Sequence, residues 1–232
     1  MFKRKNKQPM NKARHLITQL NPKSPISEQY RSIRTNIQFS AVDESIQSIV
    51  ITSPGPSTGK SITAANLAVV YAQQGMKTLL IDADLRKPTV HYTFRLDNLR
   101  GLSSVLIGEA SFEDAVETGT IGDLHILSCG PIPPNPAELL SSKRMEELIA
   151  YAEDHYDFVI VDTPPILAVT DAKIVSQIVD GTIFVVRSGV SEKEEMKKAK
   201  EIMLSGGQTR ILGAVLNDVP KNEETYYYYY GS

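Results

Sequence analysis

The stretch Pro54-Gly55-Pro56-Ser57-Thr58-Gly59-Lys60-Ser61 constrains the fold of this chain more than any other. It follows an apolar, β-branched run from Ser48 to Thr52 and opens a helix-like stretch from Lys60 to Gln74. Strand, glycine-bearing loop and helix in that order predict a phosphate-binding loop. Backbone N–H groups across Gly55, Ser57, Thr58, Gly59, Lys60, Ser61 and Ile62, with the positive helix end, are expected to surround the α and β phosphates of ATP. Lys60 is expected to reach the β and γ oxygens, and the Ser61 hydroxyl to bind Mg²⁺. Pro54 stands where this type of loop usually begins with glycine, but Gly55 keeps the backbone free between two prolines.

Apolar runs at Thr78 to Ile81, Leu124 to Leu127, Phe158 to Val161, Thr182 to Val186 and Ile211 to Leu216 read as further buried strands. Helix-spaced apolar positions separate most of them, at Ser142 to His155, Asp171 to Val179 and Ser191 to Ser205, with an added helix at Ile26 to Phe39. The alternation predicts an α/β fold with a doubly wound, mostly parallel sheet. Pro131 to Pro136 reads as a rigid connection. The expected organisation is a basic segment over residues 1–25, one domain over 26–220 and a tail over 221–232.

Two of the strands end in acids, Asp82 with Asp84 close behind, and Asp162. In an open parallel sheet the ligand lies beyond the carboxyl ends of the strands, so these carboxylates converge with the phosphate loop. Asp82 and Asp162 are expected to contact Mg²⁺ directly or through water, beside Ser61.

With 232 residues, 41% of them hydrophobic, the chain is long enough for one sizeable core, and its net charge of −2 gives no reason to expect nucleic acid. The first fourteen residues gather Lys3, Arg4, Lys5, Lys7, Lys12 and Arg14 with no acid among them, which suits either a solvated terminus or an anionic membrane surface. No apolar run reaches the ~18 to 20 residues that span a bilayer, and Cys129 is the only cysteine. Both point to a cytoplasmic protein without a disulfide.

These motifs resemble the bacterial tyrosine kinases, which share the deviant-Walker fold of the partition and septum-site ATPases. The likeness runs through nearly the whole chain and rests on Pro54 to Ser61 as Walker A, Leu79 to Pro88 as Walker A′ and Phe158 to Pro165 as Walker B. The tyrosine cluster Tyr226, Tyr227, Tyr228, Tyr229 and Tyr230 completes it. Glu28-Gln29-Tyr30-Arg31-Ser32-Ile33-Arg34 is similar to the family's Glu-x-x-Arg-x-x-Arg motif, which implies that Glu28, Arg31 and Arg34 lie at a subunit interface in a ring. Spacing alone gives a helix side with a local ion pair of ~0.2 to 0.5 kcal/mol. Asn217 resembles the asparagine that touches adenine in related ATPases, although Asn-Asp-Val-Pro is also a turn signal. Thr58 and Ile62 depart from the usual family residues and bear on turnover.

The resemblance implies a kinase that autophosphorylates Tyr226 to Tyr230 and modifies other proteins on tyrosine. It further implies regulation of polysaccharide synthesis and export, through a separate transmembrane activator that recruits the protein to the inner face of the membrane. Tyr226 lies nine residues beyond Asn217, a reach of ~30 Å when extended, so a neighbouring active site is in range. The expected reaction is in-line attack by a tyrosine hydroxyl on the γ-phosphorus, with Asp82 or Asp84 as proton acceptor. The competing reading is a switch ATPase of the partition or septum-site type. Those usually carry a second lysine where this chain has Gly55, and they lack the tyrosine cluster.

Overall fold

The computed structural model describes residues 16–40, 45–207 and 209–220. The basic residues of the first fourteen positions and the cluster Tyr226 to Tyr230 lie outside the described residues.

Among the described residues seven strands form one sheet: β1 (Ser48–Thr52), β2 (Thr78–Asp82), β3 (Val116–Thr118), β4 (Leu124–Leu127), β5 (Phe158–Asp162), β6 (Gly181–Arg187) and β7 (Ile211–Asn217). Their spatial order is β3-β4-β2-β5-β1-β6-β7, and every pairing is parallel except β3 with β4. Six of the seven coincide with the apolar runs in the sequence to within a residue at either end. Strand β7 is not the buried strand expected, however: as the edge strand of the sheet it is half-buried to exposed along its length, with Leu216 58% exposed. The short edge strand β3 is the addition.

The helices are α1 (Ile17–Leu20), α2 (Pro25–Phe39), α3 (Lys60–Ala72), α4 (Val90–Phe94), α5 (Leu102–Ile107), α6 (Phe112–Ala115), α7 (Pro136–Leu140), α8 (Lys143–His155), α9 (Asp171–Val175) and α10 (Lys193–Leu204). Local chemistry sets several ends. Ser24 accepts from the Ser27 N–H ahead of Pro25 at the first turn of α2, and Ser142 accepts from the Met145 N–H to start α8. Helix α9 is shorter than its apolar spacing suggests and gives way to turns before Gly181.

The apolar runs are continuous because the sheet is covered on both faces. Ile49, Ile51, Leu80, Ile126, Phe158 and Ile160 pack with α3 on one side. Their alternate neighbours Val50, Leu79, Ile81, Leu127, Val159 and Val161 pack with α5 and α8 on the other. Ahead of α2, Leu16 is buried and α1 is tied to α3. The Thr18 hydroxyl donates to Asn66 Oδ1 at 2.9 Å, and Gln73 Nε2 donates to the Thr18 carbonyl at 2.9 Å. Among the described residues no helix is long and apolar enough to cross a membrane.

Candidate active site

Strand order brings the three acid- and loop-bearing strand ends together. β5 lies between β1 and β2, and Asp82 is the register partner of Asp162. The loop leaving β1 therefore rises beside both carboxylates.

Within that loop Ser57 has φ +60° and Gly59 has φ +93°, and Gly59 caps α3. The left-handed turn at Gly59 starts the helix with its unpaired N–H groups facing the carboxyl edge, where an anion is favoured. A Cβ on Gly59 would stand 2.1 Å from Asn217 Nδ2, so the bare backbone is required there. Asn217 in turn donates from Nδ2 to the Thr58 carbonyl at 2.9 Å, which joins the end of β7 to the phosphate loop. Arg187, at the end of β6, donates to Asp218 at 2.8 Å and further secures this side.

Lys60 is buried and turned toward the acids. Its Nζ lies 2.9 Å from Asp84 Oδ2, 3.4 Å from Asp162 Oδ1 and 3.2 Å from the Ser61 hydroxyl. Burial opposes its charge, but the carboxylates of Asp162 and Asp84 outweigh that and hold its pKa above the ordinary lysine value.

The three carboxylates have different surroundings. Asp82, fully buried, accepts from the Thr89 and Val90 N–H groups on Oδ2, both at 3.0 Å, and from the Asp84 N–H on Oδ1 at 3.2 Å. Burial and the neighbouring Asp162 charge still push its pKa up to about 7. Asp84 accepts the Lys87 N–H on one oxygen and faces Lys60 with the other. Asp162 meets Lys60 through Oδ1, whereas its buried Oδ2 has no partner among the described residues. Burial is the main cause that raises its pKa above the carboxylate range.

An unsatisfied, fully buried carboxylate oxygen beside a serine hydroxyl is a suitable inner end for a Mg²⁺ site. No group of three or more His, Cys, Asp or Glu forms a metal cage among the described residues. That fits a cation which draws on one or two carboxylates and takes its remaining ligands from phosphate and water.

The sequence reading gave Arg86 no role. It donates from Nε and Nη2 to the two oxygens of buried Asp171, at 2.9 and 3.1 Å. This two-pronged pair ties the loop after β2 to the start of α9, just beyond the loop after β5. Its place inside the stretch Leu79 to Pro88 was the available signal; its partner, 85 residues away, left none. Glu28 and Arg31 pair with each other at 2.8 Å on α2, and Arg34 reaches back to the Val70 carbonyl of α3 at 3.3 Å. They lie apart from the phosphate loop.

A family model described as an AAA domain matches residues 46–189. The chain is 55% identical to the tyrosine-protein kinase YwqD of Bacillus subtilis (strain 168) over 219 residues, covering 94% of this chain and 92% of the relative. It is 46% identical to the putative tyrosine-protein kinase CapB of Staphylococcus aureus over 90% of this chain and 92% of that one. Among solved structures, the chimerical protein CapA2B2 superposes with a TM-score of 0.86 at 50% identity, covering 89% of this chain and 90% of the other. The kinase domain of Escherichia coli tyrosine kinase ETK gives 0.86 at 36% identity, covering 90% and 82%. The septum site-determining protein MinD of Pyrococcus horikoshii, complexed with Mg-ADP, gives 0.65 at 27% identity, covering 76% and 72%. The sheet order, the loop around Lys60 and this similarity over nine-tenths of the chain agree: the chain belongs to the bacterial tyrosine-protein kinases and is a protein-tyrosine kinase.

Proposed function

We propose that this kinase transfers the γ-phosphoryl group of ATP to its own tyrosine cluster, Tyr226 to Tyr230, from one subunit to another. The observation that carries the proposal is the position of Lys60, held at 2.9 Å by Asp84 and 3.4 Å by Asp162 at the mouth of the phosphate loop.

In this reading Lys60 exchanges its carboxylate partners for the β and γ oxygens when nucleotide enters. Ser61 Oγ and Asp162 Oδ2 would hold Mg²⁺, with Asp82 behind them. Bound there, the ion would neutralise charge on the phosphates. The helix end and loop N–H groups align the chain of phosphates, and Asn217 borders the base.

The attacking phenol has an ordinary pKa of ~10 and must lose its proton. The acceptor lies in the Asp82–Asp84 pair. Asp82, pushed up to about 7, has a proton affinity suited to accepting a proton near neutral pH, whereas Asp84 is nearer the opening and faces Lys60. Asp82 uses three of about four lone-pair positions on backbone N–H groups, which leaves one for a proton.

The kinase is further proposed to assemble through Glu28, Arg31 and Arg34, to respond to a separate transmembrane activator and to act in polysaccharide export.

Incubation of the purified protein with ATP and Mg²⁺, followed by mass analysis of the C-terminal peptide, tests the central claim. Phosphate on the cluster is expected in the wild type and its loss in Lys60→Met. Labelling that persists in the variant sinks the mechanism.

A further inference from the structure

On the β4 side of the catalytic carboxylates lies a cavity of about 330 Å³, lined by Ile107, Ile132, Pro131, Pro133 and Pro134 among others. It stands on the same edge of the sheet as the active site. β4 is the neighbour of β2, and the loop that follows it starts at Ser128. The charges of Asp82 and Asp84 are felt at Cys129 in that loop, where burial first and these acids next push the thiol up to about 12.

The cavity wall is rigid. Ser103 Oγ donates to the Pro131 carbonyl at 2.7 Å, and the Ser103 N–H donates to the Cys129 carbonyl at 2.9 Å. Asn98 grips Gly130 twice, at 2.8 Å each, next to Pro131 of the lining. Two of the apolar side chains that line the cavity stand open to solvent: Ile132 is 62% exposed and Ile107 49%. Large exposed apolar groups gathered beside an active site mark a contact surface.

The lining excludes a phosphate ligand, since no lysine or arginine takes part and Glu109 does. A wall of prolines and isoleucines suits aromatic rings. Residues 221–232, which continue the chain beyond the last described residue, carry five tyrosines in a row.

We propose that this groove is the acceptor-docking site of the kinase, and that it seats tyrosine rings of a second copy's tail that flank the one being phosphorylated. It rests on the reading of the tail as substrate and adds to it the surface that selects it.

The distances favour a second copy. From β7 to β4 is five strand spacings, about 24 Å, and ~30 Å of chain would just bring a subunit's own Tyr226 across. That path runs directly over the phosphate loop, which follows the central strand β1, so the bound nucleotide would lie in its way. A tail that arrives from a neighbour along the β4 edge meets no such obstacle. Nucleotide and acceptor then occupy separate halves of the site, over β1 to β7 and over β2 to β4.

The test is steady-state phosphorylation of a synthetic peptide with the sequence of residues 221–232 by the full chain. Ile132→Asn and Ile107→Asn should each raise the KM for peptide about tenfold, the scale of losing part of one aliphatic contact. They should leave kcat, ATP affinity and melting temperature unchanged. Ile132→Leu should restore the wild-type KM, and Leu204→Asn, an exposed apolar loss on α10, should have no effect. A peptide that the wild type phosphorylates with a KM unmoved by both Asn variants overturns the groove and leaves the tail reading standing. A wild type that phosphorylates neither the peptide nor its own tail overturns both.

Discussion

At the scale of single residues, the three acids that the sequence places at or just behind the ends of two strands differ in what they can lose. Asp82 holds the N–H groups of Asp84, Thr89 and Val90. Asp82→Ala would leave three buried donors without an acceptor, at about 1 to 3 kcal/mol each, and should unfold the loop after β2. Asp82→Asn should not. Its amide oxygen can take the two bonds at 3.0 Å, only the 3.2 Å bond is lost, and a buried charge beside Asp162 disappears. Its stability is expected within about 1 kcal/mol of wild type. Transfer to tyrosine then discriminates the proton acceptor, since loss of tail labelling in Asp82→Asn but not in Asp84→Asn assigns the role to Asp82, and the reverse assigns Asp84. A pH series gives a second readout. The Asp82 pKa is raised on folding to about 7 from an ordinary carboxylate value, so the native state binds the proton more tightly. Its stabilising contribution is full at low pH and is lost as pH rises through about 7. In a chelator, the Asp82 contribution to the melting temperature of the wild type should therefore fall between about pH 4 and pH 7, and the melting temperature of Asp82→Asn should fall less. Equal slopes would count against the buried-carboxyl assignment. None of this division of labour was legible beforehand: strand-end spacing locates an acid but does not reveal which backbone N–H groups, seven and eight residues on, it will hold.

At the scale of elements, strands β1, β2 and β4 to β7 and helices α2, α3, α8 and α10 were legible because each repeats its apolar period over several turns or fills a run of four or more largely apolar residues. Strand β3 has three residues, none of them buried, and α4 to α7 have four to six residues each. Such pieces are too short for a period and are held by tertiary contacts, as Asp82 holds the start of α4. The joint between α3 and β7 was legible only in part. Gly59 belongs to a recognisable loop, and its φ of +93° alone favours glycine, yet the second reason for a bare backbone, the close approach of Asn217 Nδ2, comes from 158 positions later in the chain. Gly59→Ala would put a side chain at φ +93° and drive Nδ2 of Asn217 away from the Thr58 carbonyl. The left-handed strain alone is about 1 to 2 kcal/mol. A lower melting temperature and at least tenfold weaker binding of a fluorescent ATP analogue are expected, while Asn217→Ala, which removes the tie without the strain, should spare the melting temperature more than the binding. Wild-type nucleotide affinity in Gly59→Ala would show that the loop tolerates the displacement.

At the scale of the whole molecule, α2 presents Ile26, Glu28 and Phe39 to solvent, with Phe39 77% exposed, while Arg34 is anchored on α3. Within one subunit Glu28 and Arg31 satisfy each other, and a pair this exposed, screened by solvent, adds little to the stability of the fold. Their removal should therefore cost little stability but alter any assembly that exchanges the intrahelical pair for contacts across subunits. Glu28→Ala combined with Arg31→Ala is expected to keep the melting temperature within a few degrees and to shift the protein toward monomer in sedimentation velocity. Tail phosphorylation should act in the same direction by a different route. Each phosphotyrosine adds about −1.5 to −2 charge at neutral pH, next to Glu223 and Glu224 and opposite a site that already holds Asp82, Asp84 and Asp162. An apolar groove between Ile107 and Ile132 offers such a group no counter-charge, and Glu109 repels it. A modified tail should leave its neighbour, so that the reaction dissolves the contact that permits it. Sedimentation of phosphorylated and unphosphorylated protein at equal concentration should show the smaller species in the first sample, with a difference that shrinks in high salt as screening weakens the repulsion. Identical profiles at low salt would separate catalysis from assembly and confine the effect of phosphorylation to other partners.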